Sequence, residues 1–136
     1  MAPMTRRPDD DGWVICSTDS CLWIKIDWAV SVETNDGYAF RIEEPFALTL
    51  PGGVEQTLTP EGDPALLGPV LAVARTTLTS ASALDDGGLH LDFGSGATIK
   101  VGPGNDYEAW TANGPGEADQ GLLVVSMPGG GLALWF

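Results

Sequence analysis

The residues able to do covalent or acid–base chemistry are few in this chain and poorly spaced for it. His90 is the sole histidine, so any Ser–His–Asp or Cys–His arrangement would have to be built on it. Leu89, Leu91 and Phe93 alternate with His90 and Asp92, which puts the imidazole on the wet face of a strand. Ser95 follows in Gly94-Ser95-Gly96, a turn without the Gly-x-Ser-x-Gly form of a nucleophile elbow. The 19 carboxylates offer many pairs, but none is set apart by the apolar surroundings that separate an acid from a base. A solvated acidic face accounts for them, and we assign no catalytic residue and expect no enzyme.

Metal and phosphate chemistry fare no better. Cys16 and Cys21 form a C-x4-C pair without further cysteines, short of the four ligands of a structural zinc site. Gly102-Pro103-Gly104-Asn105-Asp106 matches half of a calcium-binding nonapeptide repeat, which works only as stacked copies. Asp11-Gly12, Asp36-Gly37 and Asp86-Gly87 are turn dipeptides lacking EF-hand spacing, and no glycine-rich stretch has the lysine of a P-loop. No metal and no cofactor are expected.

The tryptophans carry the remaining signal. Of Trp13, Trp23, Trp28, Trp110 and Trp135, parity along the strands puts Trp28 in the core and Trp23 on the wet face, while Trp110 falls out of phase with Tyr107 and Ala109. Exposed aromatics beside carboxylates mark protein-binding patches. The residues expected to meet a partner are therefore Trp23, Asp27, Glu33, Asp106, Glu108 and Trp110; packing of Trp23 and Trp110 under loops or a second sheet is the competing reading.

The elements that must hold these residues are mainly strands. From Leu22 to Glu33 apolar and polar residues alternate strictly, over a length that requires the strand to bend or pass between sheets. Asn35-Asp36-Gly37 turns into Tyr38, Phe40 and Ile42, and further strands are expected at Phe46–Leu50, Gln56–Thr59, Thr76–Leu84, Leu89–Phe93, Ala97–Val101, 122–125 and 132–136. One short helix is expected over 63–74, with Asp63 as N-cap, Pro64 at the first helical position, Leu66, Leu67, Val70, Leu71 and Ala74 at helical spacing, and Pro69 splitting or kinking it. A shift of 59 residues lays Val30 on Leu89, Gly37 on Gly96 and Ile42 on Val101, which raises an internal duplication. The fold class expected is mainly β (α+β): an antiparallel β-sandwich or open barrel of hairpins with one short helix.

Charge and length bound the function. The 136 residues fit one domain, read as a single β-rich unit over 13–136 behind a disordered tail over 1–12. A formal charge of −13 argues against nucleic acid and anionic membranes as partners, since both are held by clustered Lys and Arg. Residues 13–75 carry three positive and nine negative charges and residues 76–136 one and seven, so the acidity is spread over the folded body. Arg6-Arg7 is followed by Pro8 and aspartates, not by the apolar run of a secretion signal, so the expected location is the cytoplasm, with both thiols reduced.

Tyr107-Glu108-Ala109-Trp110 and Pro128-Gly129-Gly130-Gly131-Leu132-Ala133-Leu134-Trp135 resemble motifs of a family of small, acidic, uncharacterised actinobacterial proteins, as do Ile42-Glu43-Glu44-Pro45-Phe46 and the segment from Asp63 to Leu71. The likeness runs from about Trp23 onward, leaves out Cys16–Cys21, and carries no assigned activity; by analogy, similar small acidic proteins serve as immunity or accessory proteins. The function expected is a non-catalytic protein-binding module, most concretely an immunity-type inhibitor of a basic toxin. The alternatives are a β-barrel holding a small apolar ligand, and a structural subunit that forms a homodimer through its C-terminal strand, 132–136.

Overall fold

The computed structural model describes residues 4–115 and 121–135. They form β1 (Thr5–Arg6), β2 (Gly12–Ile26), β3 (Val30–Thr34), β4 (Ala39–Ile42), β5 (Phe46–Thr49), β6 (Glu55–Leu58), a 3₁₀ helix (Pro64–Val73), β7 (Thr77–Leu84), β8 (Leu89–Phe93), β9 (Thr98–Val101), β10 (Trp110–Asn113), β11 (Leu123–Ser126) and β12 (Leu132–Trp135). Every pairing is antiparallel, and the strands run in the order β12-β11-β10-β4-β3-β2-β7-β8-β9-β5-β6, with β1 beside β2. This is the mainly antiparallel β architecture that the alternation implies.

β2 joins two layers. Its first part, to Cys21, pairs with β7, and its last part, from Leu22 to Ile26, pairs with β3. Register breaks at Val14/Cys16 and Ser17/Ser20 put bulges where the strand must bend. Phe40, Ile42, Val30, Val32 and Trp110 from one layer and Phe46, Leu48, Leu89, Leu91 and Ile99 from the other are fully buried in a single core. Strand alternation therefore becomes one apolar and one wet face on each layer.

The 59-residue shift recurs in the strand bounds of the two central hairpins. It carries β3 onto β8 and β4 onto β9 residue for residue, and Gly37 (φ 100°) onto Gly96 (φ 94°) at the same left-handed turn position. Beyond this core the units exchange strands. β5 follows β4 in the chain but pairs with β9, Phe46 facing Val101; β10 follows β9 but pairs with β4, Trp110 facing Ile42. Ile42 and Val101 are equivalent positions, so Trp110 fills in one unit the place Phe46 fills in the other. The two β units are joined by crossed arms, each lending the strand after its hairpin to the other.

Several expectations need correction. The alternation from Leu22 to Glu33 spans a hairpin, because Asp27-Trp28-Ala29 is a turn that preserves the parity of both strands: Ile26 faces Val30. Trp28, expected in the core, sits in that turn and is 77% exposed. The helix has its Asp63 cap, whose carboxylate accepts from the Ala65 N–H at 3.0 Å, and it contains Pro69, but it winds as 3₁₀. Its buried residues Leu67, Val70 and Val73 recur every third position, as three residues per turn require, leaving Leu66 and Leu71 exposed.

Residues 5–12, expected as a disordered tail, form β1 and the turn into β2; residues 1–3 lie outside the described residues. Arg6 holds this hairpin down. Its guanidinium donates to both carboxylate oxygens of Asp85 (2.9 and 2.7 Å) and to Asp10 Oδ1 (2.9 Å), and lies 4.9 Å from the Trp13 ring.

Candidate functional site

Register decides which loops meet. Ile26, Val30, Ile42 and Trp110 face one another in sequence across β2, β3, β4 and β10, and they form the last row at one end of that layer. Beyond this row come the turn at Asp27–Ala29, the acidic pair Glu43-Glu44, and Tyr107-Glu108-Ala109. The last two segments belong to the linkers on which the arms cross, 43–45 and 102–109. They are tied together: the N–H groups of Glu43 and Glu44 both donate to the Ala109 carbonyl, at 2.9 and 3.3 Å.

The motif Tyr107-Glu108-Ala109-Trp110 is split between anchor and display. Ala109 and Trp110 are fully buried, and the indole Nε1 donates to the Gly87 carbonyl at 2.9 Å, an oxygen that also accepts from Ser126 Oγ at 2.7 Å. Tyr107 and Glu108 project outward, with Tyr107 74% exposed. Together with Glu43, Glu44 and Glu61 they line a concavity of about 210 Å³. Gly104 lies against its wall. A Cβ there would come within 2.6 Å of the Tyr107 carbonyl oxygen and 3.2 Å of Glu44 Oε1, so only glycine lets the two linkers pass this closely.

The electrostatics are one-sided. Among the described residues Glu44, Glu61 and Glu108 form no ion pair, and Glu43 has only Arg41, whose Nε lies 4.0 Å from Glu43 Oε1. Arg41 Nη1 donates to Asp27 Oδ2 at 3.1 Å. The Ala29 N–H, donating at 2.7 Å, and then Arg41 hold the Asp27 carboxyl below its ordinary range. The acidic surface thus continues through Arg41 from the concavity to the turn that displays Trp28. Four carboxylates and a phenol around one small hollow suit a guanidinium or an ammonium group, with Tyr107 offering a ring face. No group of three or more His, Cys, Asp or Glu side chains arranged to hold a metal occurs among the described residues.

The expected partner-binding residues divide. Glu108 lines the concavity and Asp27 joins it through Arg41, while Asp106 is exposed on the same linker but outside the lining. Trp23, half-exposed, faces Glu33 on the outer side of β2 and β3, away from the hollow. Trp110 is corrected: it is core, because β10 pairs with β4 and puts it in the inward row with Ile42. Glu43, Glu44, Glu61 and Tyr107 are the lining residues missed from alternation alone. The first two and Tyr107 stood in motifs quoted above; Glu61 carries no local signal, since only the path of β5 and β6 brings it there.

His90 points outward between Ser82 and Lys100 on the neighbouring strands, and burial, then Lys100 and Arg7, push its pKa below the usual histidine value. Cys16 is buried and Cys21 exposed, and they are not bonded to each other. Burial, reinforced by Asp36, pushes the Cys16 thiol up to about 12.

No helix among the described residues is long and apolar enough to cross a membrane. Neither the curated proteins nor the solved structures contain a match to the chain. Residues 20–136 do match the model of a family of unknown function (DUF6188), a span that includes the crossed arms and every residue lining the acidic concavity, and the chain belongs to that family.

Proposed function

We propose that this protein is a non-catalytic binding module that receives a basic protein at the acidic end of its sandwich, in the manner of an immunity-type inhibitor acting in the cytoplasm. The observation that carries this reading is the convergence of Glu44, Glu61 and Glu108, none of them ion-paired among the described residues, with Tyr107 on one hollow built on anchored linkers. A net charge of −13 steers a basic partner toward the molecule, and a preorganised hollow supplies a place for an inserted Arg or Lys. Trp28 and Tyr107 add exposed aromatic surface at the same end. The reading as a barrel for an apolar ligand gains no support, since this hollow is acidic and the space between the layers is filled by Trp110, Phe40, Phe46 and Leu48.

The test is titration of a fluorescent oligo-arginine peptide by anisotropy at low and high salt. The triple variant Glu44→Lys, Glu61→Lys, Glu108→Lys is expected to bind at least about tenfold more weakly than Asp19→Lys, Glu55→Lys, Asp92→Lys, which changes net charge equally. Equal loss in the two variants would show that bulk charge alone attracts the peptide and would remove the site from the proposal.

A further inference from the structure

The sheet path ends at β6 on one side and β12 on the other, and the two edges are built differently. β6 reads Glu55-Gln56-Thr57-Leu58, with a charge and polar residues of the kind that discourage another strand from adding. β12 reads Leu132-Ala133-Leu134-Trp135 and carries no such guard. No charged residue occurs anywhere from Gly121 to Trp135, in a chain with 25 charged side chains. Among the described residues β12 pairs with β11 alone, so the backbone groups of its other edge are free to receive a strand.

Both faces of β12 are apolar, and both end abruptly. On the inner side Leu132 and Leu134 face Ser126 and Val124 and pack against the core, yet they remain only half-buried, since among the described residues no strand lies beyond them. On the outer side Ala133 and Trp135 face Val125 and Leu123, and Trp135 is 55% exposed. An occupant of this edge must supply an uncharged strand, apolar on both faces.

We propose that β12 is the seam of a two-fold homodimer, in which β12 of a second copy adds antiparallel to it. A two-fold axis normal to the sheet, midway between Ala133 and Ala133 of the second copy, keeps inward residues inward. It sets Leu132 opposite Leu134 of the second copy, so that the two cores continue across the seam. The strand's own composition is what this edge requires, and charge selects the same occupant: an uncharged seam gives a basic protein nothing to pair with, whereas two neutral strands meet without repulsion. Four residues a side fall short of the roughly 1,200 Å² of a standard interface, so the dimer is weak and concentration-dependent. Because each copy carries −13, added salt strengthens this association, whereas it weakens docking of a basic protein at the concavity.

The test is sedimentation equilibrium of the full chain over roughly 5 to 500 µM, a range chosen for a weak interface, at low and high salt. The expected result is a weight-average mass rising from 14.2 kDa toward twice that value, with a dissociation constant several-fold lower in high salt. Ala133→Lys, which sets two ammonium groups against each other on the axis, is expected to raise that constant at least about tenfold while circular dichroism stays unchanged; Trp135→Lys serves as a second variant should the first not fold. A monomer at every concentration and salt overturns the proposal. So does a dimer that folded Ala133→Lys or Trp135→Lys leaves intact, since another surface would then hold it.

Discussion

Replacing Trp110 by phenylalanine and Ser126 by alanine, singly and together, isolates one buried carbonyl. Trp110 Nε1 and Ser126 Oγ both donate to Gly87 O, at 2.9 and 2.7 Å, across the gap between the layers. Phenylalanine in place of the fully buried indole leaves a void of about 40 Å³, worth about 1 kcal/mol at roughly 24 cal/mol per Å³. The lost hydrogen bond contributes about 1 kcal/mol more. Trp110→Phe is therefore expected to destabilise by about 2 kcal/mol and Ser126→Ala by about 1 kcal/mol. Each single variant leaves Gly87 O one partner. The double variant leaves it none, and an orphaned buried carbonyl costs about 1–3 kcal/mol, so the combined loss should exceed the sum of the singles by about 1–2 kcal/mol. Urea unfolding followed by circular dichroism gives the three values, provided the slope with denaturant stays constant. For a chain of this length each kcal/mol corresponds to about 3.5 °C in Tm, so the excess would also be visible as several degrees. Strict additivity would refute the reasoning, because it would mean that the carbonyl finds another partner or never depended on these two.

Further outcomes follow from the same geometry. The single histidine gives one imidazole C2–H resonance, and its NMR titration should place His90 below the ordinary value of about 6.5. Since the folded state then holds its proton less tightly than the unfolded chain, the His90 contribution to stability is present above pH ~6.5 and is lost as pH falls toward the folded pKa; His90→Asn should flatten that part of the stability profile. A thiol reagent such as DTNB should titrate one cysteine quickly in the native protein, the exposed Cys21, and reach Cys16 only with unfolding, because the latter is buried and its thiol is pushed up to about 12. Two fast equivalents would contradict this. Gly104→Ala should force the Tyr107 backbone or Glu44 aside and weaken oligo-arginine binding by several-fold without altering net charge; unchanged affinity would show that the linker spacing does not shape the hollow.

Most of the strands were legible because alternation records which face is buried, and each hairpin keeps its own turn. The places where it failed have physical causes. At Trp28 a three-residue turn preserves parity, so the periodic signal runs through a reversal without interruption. β1 is only two residues long, and β2 carries Ser17, Thr18, Asp19 and Ser20 in a bulged, partly wet stretch where apolar alternation is weak. The helix lies over the expected span with Pro69 inside it, but spacing alone cannot separate a three-residue from a 3.6-residue repeat over ten residues. The burial of Trp110 comes from β4, far away in the chain, so local parity carries no sign of it. The concavity shares that cause: Glu43-Glu44 and Tyr107-Glu108 are adjacent only once the arms have crossed.

That crossing also governs the order in which a newly made chain can settle. Phe40 and Ile42 emerge early, yet the strand that shields them includes Trp110, about 70 residues later, which at roughly 5–20 residues per second is a delay of several seconds. During this interval the edge of β4 that β10 will cover is unpaired, and β5 must likewise wait for β9. Neither repeat can mature as an independent foldon, so the domain should assemble late and in one cooperative step, with the slow kinetics of long-range β pairing.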